Sequence, residues 1–112
     1  MTDCIVNVNN GNGVEVLEDH CEVLGCEITD NGQEGGLADT ARVGLLVGFE
    51  TTDSVVTSNQ IYDTQGTQTQ QFGVRFGSST DFNIVKNNNL RTNAQADTSG
   101  TPGGNSIVSD NI

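Results

Sequence analysis

Short groups of apolar residues recur along the chain at similar intervals, with longer polar stretches between them. Four eight-residue windows align without gaps: CEVLGCEI (21–28), SVVTSNQI (54–61), NIVKNNNL (83–90) and NSIVSDNI (105–112). Each window ends in Ile or Leu, and each has Val or Ile five residues before that end. Constant spacing of this kind indicates a repeat protein.

A second element repeats upstream of the first three windows. Gly followed by an apolar, a variable and an apolar residue occurs at 13–16, 44–47 and 73–76. The alternation predicts a short strand with one buried face. Each unit is therefore expected to hold two or three short strands separated by tight turns. No segment has the periodicity of a helix over three turns, so we expect almost no helix.

The stretches between these elements differ in length and are polar and Gly-rich, at 31–42, 65–71 and 93–103. A constant strand core with variable loops is typical of solenoids. We therefore predict one domain over residues 1–112, with coil units ending near residues 28, 61, 90 and 112.

Equivalent positions on successive coils are expected to stack about 4.8 Å apart. One apolar column would consist of Val23, Val56, Val85 and Ile107. A second apolar column would consist of Ile28, Ile61, Leu90 and Ile112. A ladder of small polar or thiol side chains would consist of Cys26, Asn59, Asn88 and Asp110. Hydrogen bonds between the ladder amides would satisfy polar groups held inside the coil or at a turn.

The windows SVVTSNQI and NIVKNNNL, each downstream of a Gly-Leu or Gly-Val strand, resemble repeats of the pectate-lyase-like superfamily, as does the stretch 61–76. The resemblance covers residues 11–112 and implies the C-terminal coils of such a protein. It implies an all-β fold, a right-handed parallel β-helix of three to four coils with variable polar loops. It also implies an extracellular or cell-surface location and a polysaccharide as partner.

Charge and cysteine content narrow the function further. Fifteen acidic residues against four basic ones give a net charge of −11, which argues against nucleic-acid binding. No apolar run approaches the ~18 residues of a membrane span. The single lysine, Lys86, fits a halophilic source, because salt screens acidic self-repulsion. The chain has three cysteines, Cys4, Cys21 and Cys26. Because an odd number does not suit a framework of disulfides, we expect the cysteines to be reduced and to fill core positions.

Candidate chemistry is sparse. The resemblance implies that active members of the superfamily use the outer face of one parallel sheet, where this chain would place Glu15, Leu46 and Arg75. Glu15 and Arg75 would lie two coils apart, near 10 Å. Asp30 and Asp63 occupy equivalent places, where they would either hold a hard cation such as Ca²⁺ or begin turns, and the turn explanation is favoured.

Two functions from different classes follow. The first is a non-catalytic β-helix segment that serves as a structural or carbohydrate-contacting scaffold and associates through its open ends. The alternative is the C-terminal part of a polysaccharide lyase or glycoside hydrolase whose catalytic coils lie upstream. No complete catalytic constellation is visible, and no cofactor or metal is assigned. The residues expected to contact a ligand are Glu15, Tyr62, Asp63 and Arg75.

Overall fold

The computed structural model describes all residues from 1 to 112 and consists almost entirely of short strands. The strands are β1 (Ile5–Asn7), β2 (Val14–Val16), β3 (Glu22–Leu24), β4 (Glu27–Thr29), β5 (Val43–Val47), β6 (Val55–Thr57), β7 (Gln60–Tyr62), β8 (Phe72–Phe76), β9 (Ile84–Lys86), β10 (Ala96–Ser99) and β11 (Ile107–Ser109). The only helical element is one 3₁₀ turn, Asp39–Ala41. The prediction of almost no helix is confirmed.

All strand pairs are parallel and form three sheets. Sheet I has the strand order β2-β5-β8-β10, sheet II has β3-β6-β9-β11, and sheet III has β1-β4-β7. The chain visits sheets I, II and III in turn and then begins the next coil. The fold is a right-handed parallel β-helix, as predicted, with three coils and a partial coil at each end.

The core is a narrow stack of side chains that point inward from the three sheets. Val56 pairs in register with Val23 on one side and with Val85 on the other. Ile61 pairs with Ile28, and Leu90 is buried in the same cluster. Val85, Ile61 and Leu90 are completely buried. The apolar side chains of each coil are buried by the coils on either side of it. Their burial therefore depends on the repetition of coils and not on a thick core.

The last coil differs from the predicted alignment by one residue. Val108, and not Ile107, pairs with Val85, so Ile107 faces outward with half of its surface exposed. Ile112 exchanges backbone hydrogen bonds with Asn88 and Leu90, which places it beside Asn89. The predicted places of Ile107 and Ile112 in the two apolar columns are therefore wrong.

The turn from sheet II to sheet III has the same form in every coil: one residue with positive φ, followed by one inward-pointing residue. The positive-φ residues are Asp3, Gly25, Ser58, Asn87 and Asp110. The inward residues that follow them form the first ladder: Cys4, Cys26, Asn59, Asn88 and Asn111. Cys26, Asn59 and Asn88 stand where they were predicted. Asp110 was predicted in error, because it takes the left-handed position and leaves the ladder to Asn111.

Each amide in the first ladder satisfies backbone groups as well as its neighbour. The Nδ2 of Asn59 donates to the Oδ1 of Asn88, and the Nδ2 of Asn88 donates to the Oδ1 of Asn111, both at 3.0 Å. The Oδ1 of Asn59 also accepts the backbone N–H of Cys26 at 2.8 Å. The Nδ2 of Asn88 reaches the Val56 carbonyl at 3.0 Å. Backbone groups buried at the turn are thus paired.

A second ladder lines the turn from sheet I to sheet II. The backbone N–H of Cys21 donates to the Ser54 hydroxyl at 3.1 Å, and that of Ser54 donates to the Oδ1 of Asn83 at 3.0 Å. The backbone N–H of Asn83 donates to the hydroxyl of Ser106 at 3.2 Å. Ser54 and Asn83, which begin the second and third windows, are therefore turn-closing acceptors, and in the fourth window Ser106 has this role instead of Asn105.

A third ladder, which was not predicted, lines the turn from sheet III to sheet I. Asn9 donates to Asn31 at 2.9 Å, Asn31 to Gln70 at 3.1 Å, and Gln70 to Asn93 at 2.8 Å, each from side-chain amide to side-chain oxygen. Asn31 and Gln70 are completely buried. No buried side-chain nitrogen or oxygen in the chain lacks a hydrogen-bond partner.

This third ladder explains the repeated glycine at the start of the sheet I strands. A Cβ atom on Gly13 would lie 2.6 Å from the Nδ2 of Asn31, and one on Gly44 would lie 2.8 Å from the Nε2 of Gln70. A Cβ atom on Gly73 would lie 2.9 Å from the Nδ2 of Asn93. The glycines repeat because the ladder amides, the carbonyls of the neighbouring sheet I strand and, at Gly44, the side chain of Ile61 occupy the space of a Cβ atom.

Replacing Val85 by Ala is expected to lower the free energy of unfolding by about 1–3 kcal/mol, because the residue has a coil on each side and no surface in water. The matched control is Leu46→Ala, which truncates an outward-facing residue of sheet I. Urea unfolding of both variants measures the difference. Equal losses for the two would contradict the register of the core.

Replacing Asn88 by Ala is expected to cost about 2 kcal/mol or more, because the backbone N–H of Asn59 and the carbonyl of Val56, both in the preceding coil, lose their partners in a buried place. Asn89→Ala is the control, since it removes an adjacent amide that lies on the outer face. That change should stay within about 0.5 kcal/mol. A larger loss for Asn89 than for Asn88 would refute a stabilising role of the ladder.

Candidate functional site

The outer face of sheet I carries the predicted column of Glu15, Leu46 and Arg75. Leu46 pairs in register with Glu15 on one side and Arg75 on the other, and Ser99 follows Arg75. Glu15 is exposed and accepts a hydrogen bond from Asn12 at 2.8 Å. The leucine separates the carboxylate from the guanidinium, so the column brings no two ionisable groups together on neighbouring coils.

Asp63 was predicted to contact a ligand, and the structure gives it another role. Its side chain is buried. Its Oδ1 accepts the backbone N–H of Gln65 at 2.8 Å, and its Oδ2 accepts those of Thr69 and Gln70 at 2.7 and 2.8 Å. The carboxylate closes its own loop, and its contact with a ligand stays a prediction. Sequence reasoning could not see this, since it depends on the conformation of residues 64–69.

Asp30 is likewise used in local structure. Its Oδ1 accepts the backbone N–H of Thr64 at 2.6 Å, and its Oδ2 accepts the hydroxyl of Thr64 at 2.8 Å. Asp30 thus ties one coil to the next, while Asp63 orders its own loop. The turn explanation fits the contacts of Asp63, whereas the carboxylate of Asp30 bonds Thr64 of the next coil and not its own turn. No group of three or more His, Cys, Asp or Glu side chains is arranged to hold a metal ion.

Tyr62 lies on the outer face of sheet III among polar side chains from neighbouring coils. Alternation along β7 turns Gln60 and Tyr62 outward and Ile61 inward. Gln60 pairs with Glu27 on one side and forms a bridge to Asn89 on the other. The Nδ2 of Asn89 donates to the Oε1 of Gln60 at 2.9 Å.

One further residue completes this face. The Nε of Arg91, an exposed residue in the turn after Leu90, donates to the Oδ1 of Asn89 at 3.2 Å. We call the set the sheet III face: Glu27, Gln60, Tyr62, Asn89 and Arg91. A signal for it exists in the sequence, because the seventh position of the first three windows is polar in each case.

The four residues predicted to contact a ligand are therefore not brought together. Glu15 and Arg75 lie on the outer face of sheet I, Tyr62 lies on sheet III, and Asp63 is inside a loop. The structure instead groups Tyr62 with Gln60 and Asn89, which the sequence analysis did not select as ligand contacts.

The end of the solenoid that contains the N-terminus is open. Strand β2 is the edge of sheet I, whereas β3 is partly covered, because Leu24 donates to the Met1 carbonyl at 2.9 Å. A concave space of about 380 Å³ remains above the core at this end. The residues that line it are Met1, Val14, Glu15, Val16, Cys21, Glu22 and Val23.

Asp81 lies away from these places, at the turn from sheet I to sheet II. Hydrogen bonds from the Asn105 side chain, and from the backbone N–H groups of Phe82 and Asn105, lower the pKa of the Asp81 carboxyl below its usual 3.8. Displaced pKa values often mark functional sites. Here the contacts that cause the shift hold residues 103–105 against the preceding coil, so the shift reflects structure.

No protein-family model, no curated protein and no solved structure matches the chain. The chain contains no apolar helix of membrane-spanning length. Its class is defined by its own geometry: a parallel β-helix with three internal hydrogen-bonded ladders and a polar outer face on sheet III.

Proposed function

We propose that the chain is a non-catalytic β-helix segment that serves as a scaffold and contacts carbohydrate through the sheet III face. The observation that carries the proposal is the continuous outer row of Glu27, Gln60 and Asn89 on successive coils, beside the ring of Tyr62. Strand pairing holds these side chains at a fixed spacing. The proposal includes the pectate-lyase-like relationship and the extracellular or cell-surface location that the sequence resemblance implies.

The chemistry of the face suits a hydroxyl-rich ligand. Amide groups of Gln60 and Asn89 both donate and accept hydrogen bonds, and the Glu27 carboxylate accepts them. A half-buried tyrosine offers an apolar ring face and a phenolic hydroxyl at one place. A rigid strand backbone reduces the entropy lost on binding. Because the net charge is −11, we expect neutral polysaccharides to bind better than acidic ones.

The alternative is that the chain forms the C-terminal coils of a polysaccharide lyase or glycoside hydrolase. What favours it is the presence of an acid and a base, Glu15 and Arg75, on the outer face of sheet I. What weighs against catalysis by these residues is the leucine between them and the internal use of Asp63. The two proposals differ in where catalysis lies, since the alternative has its catalytic coils upstream and only a chain that includes them would release new chain ends from a polysaccharide.

A scaffold role also agrees with the open ends of the solenoid. An unpaired β2 edge lies beside an apolar concave space, and Ile107, Val108 and Ile112 are partly exposed at the other end. Uncovered strand edges and apolar surface favour association with further strands. We propose that the segment associates through these ends.

Binding to neutral polysaccharides such as xylan and glucomannan is expected, and Tyr62→Ala should weaken it by about 1 kcal/mol, roughly fivefold in Kd. Thr57→Ala, on the outer face of sheet II, is the control and should bind as the parent does. Affinity electrophoresis measures the change. Equal binding by Tyr62→Ala and the parent would remove the sheet III face from the proposal.

The same preparations should release no new reducing ends or unsaturated products from xylan, pectate or alginate, with or without Ca²⁺. Turnover that disappears in Glu15→Gln or Arg75→Ala would contradict the non-catalytic proposal and would assign catalysis to these coils rather than to coils upstream.

Stability is expected to rise between low salt and molar NaCl. Only two ion pairs form, Arg42–Asp39 at 3.7 Å and Lys86–Asp110 at 3.5 Å, so most carboxylates have no cation beside them and repel one another until salt screens them. Melting followed by circular dichroism measures the effect, and sedimentation velocity in the same buffers reports association. A melting temperature that does not change with salt would contradict adaptation to a saline environment.

A further inference from the structure

Two free cysteines occupy neighbouring positions of the first ladder, where the N-terminal partial coil meets the first complete coil. Strand β1 pairs with β4 in the register Ile5↔Glu27, so the residues just before them, Cys4 and Cys26, are neighbours in the first ladder. The backbone N–H of Cys4 contacts the Sγ of Cys26 at 3.5 Å. Both thiols have the same orientation, since each donates to the carbonyl two residues earlier, at 3.1 Å for Cys4 and 3.4 Å for Cys26.

We propose that Cys4 and Cys26 form a reversible disulfide that locks the N-terminal partial coil onto the first complete coil. Neighbouring residues on parallel strands have Cα atoms about 4.8 Å apart. That separation lies within the range of about 4.4–6.8 Å found in disulfides. The Cβ atoms must approach each other by roughly 1 Å from the strand spacing to reach the usual disulfide value.

The terminal position of Cys4 makes this approach feasible. Strand β1 has a partner on one side only, and Cys4 is only partly buried, so its segment has room to shift. Cys26 is buried and held from the other side, because its backbone N–H donates to Asn59. Cys21 belongs to the second ladder, where its neighbour is Ser54. Only one of the three possible pairs is thus in register.

The side chains of the first ladder change from amides to thiols at Cys26 and Cys4. From Asn59 onward each rung is an amide that makes strong hydrogen bonds to its neighbours, whereas the Cys4–Cys26 rung has only an N–H···S contact, which is weak. In the reduced state the first partial coil is therefore held less firmly than later coils. A covalent link at the same rung would restrict the unfolded chain and hold the coil in place.

The oxidant we propose is a small-molecule disulfide such as oxidised glutathione. The Cys4 thiol, reached from the open end, loses its proton, and its sulfur attacks one sulfur of the disulfide, which releases one thiol and leaves a mixed disulfide. The deprotonated Cys26 sulfur then attacks the Cys4 sulfur and releases the second thiol. Two protein thiols are oxidised, one small-molecule disulfide is reduced to two thiols, and these take up the two protons.

The test uses the full chain equilibrated in buffers of oxidised and reduced glutathione, quenched by alkylation. Cleavage after glutamate separates the three cysteines, because glutamates at 15, 18, 22 and 27 lie between or beside them. Mass spectrometry should find peptides of Cys4 and Cys26 joined, and reduction should separate them. The oxidised protein should melt at least about 5 °C higher than the reduced protein.

Cys21→Ser is the matched control and should keep both the link and the shift in melting temperature. Cys4→Ser, a change at a partly exposed terminal position, should lose both while it still folds. A Cys21 link to either other cysteine, glutathione adducts alone, or free thiols throughout would overturn the proposal. A Cys4–Cys26 link that leaves the melting temperature unchanged would overturn the locking role.

Discussion

The hydrogen bonding of buried turns is the constraint on which this structure depends. A thin solenoid turns its chain three times in each coil, and each turn places backbone N–H and C=O groups where neither water nor a strand partner reaches them. Side-chain amides meet this need because one oxygen and one nitrogen can serve the coil before and the coil after. Each ladder residue is therefore satisfied only when its neighbours are present, which makes repetition a requirement for polar groups as much as for apolar ones.

The same constraint accounts for a composition that resembles a disordered chain. With 33% apolar residues and a net charge of −11, the chain has little apolar surface to bury, yet four of its asparagines are buried within the ladders: Asn31, Asn59, Asn83 and Asn88. Left-handed conformations at the turns cost about 1–2 kcal/mol for most residues and less for Gly, Asn and Asp. Gly25, Asn87 and Asp110 occupy such positions, so the local choice of residue agrees with what the ladder beside it requires.

Sequence reasoning recovered those features whose spacing is constant within a coil. Val23, Val56 and Val85, and the amides of Asn59 and Asn88, keep fixed distances inside each window, so their columns were predictable. Asn31, Gln70 and Asn93 form a ladder across loops of different length, and no fixed spacing reveals it. The last coil was misplaced because Ile107 and Val108 are both apolar, and only the turn at Asp110 decides which of them faces inward. The loop-closing role of Asp63 was not predictable, because no sequence pattern encodes the fold of its loop.

The distinction between inner and outer amides bears on function. Inside the solenoid, the hydrogen bond between amides such as Asn59 and Asn88 stabilises the fold, because without it a buried polar group would have no partner. On the outer face, water can hydrogen-bond to Gln60 and Asn89 when they are not bonded to each other. The hydrogen bond between them therefore adds little to stability. Strand pairing still holds both side chains in register. Groups that the fold positions but does not need are available to a ligand at little cost in ordering, which is why we propose the carbohydrate contact on sheet III rather than in the interior ladders.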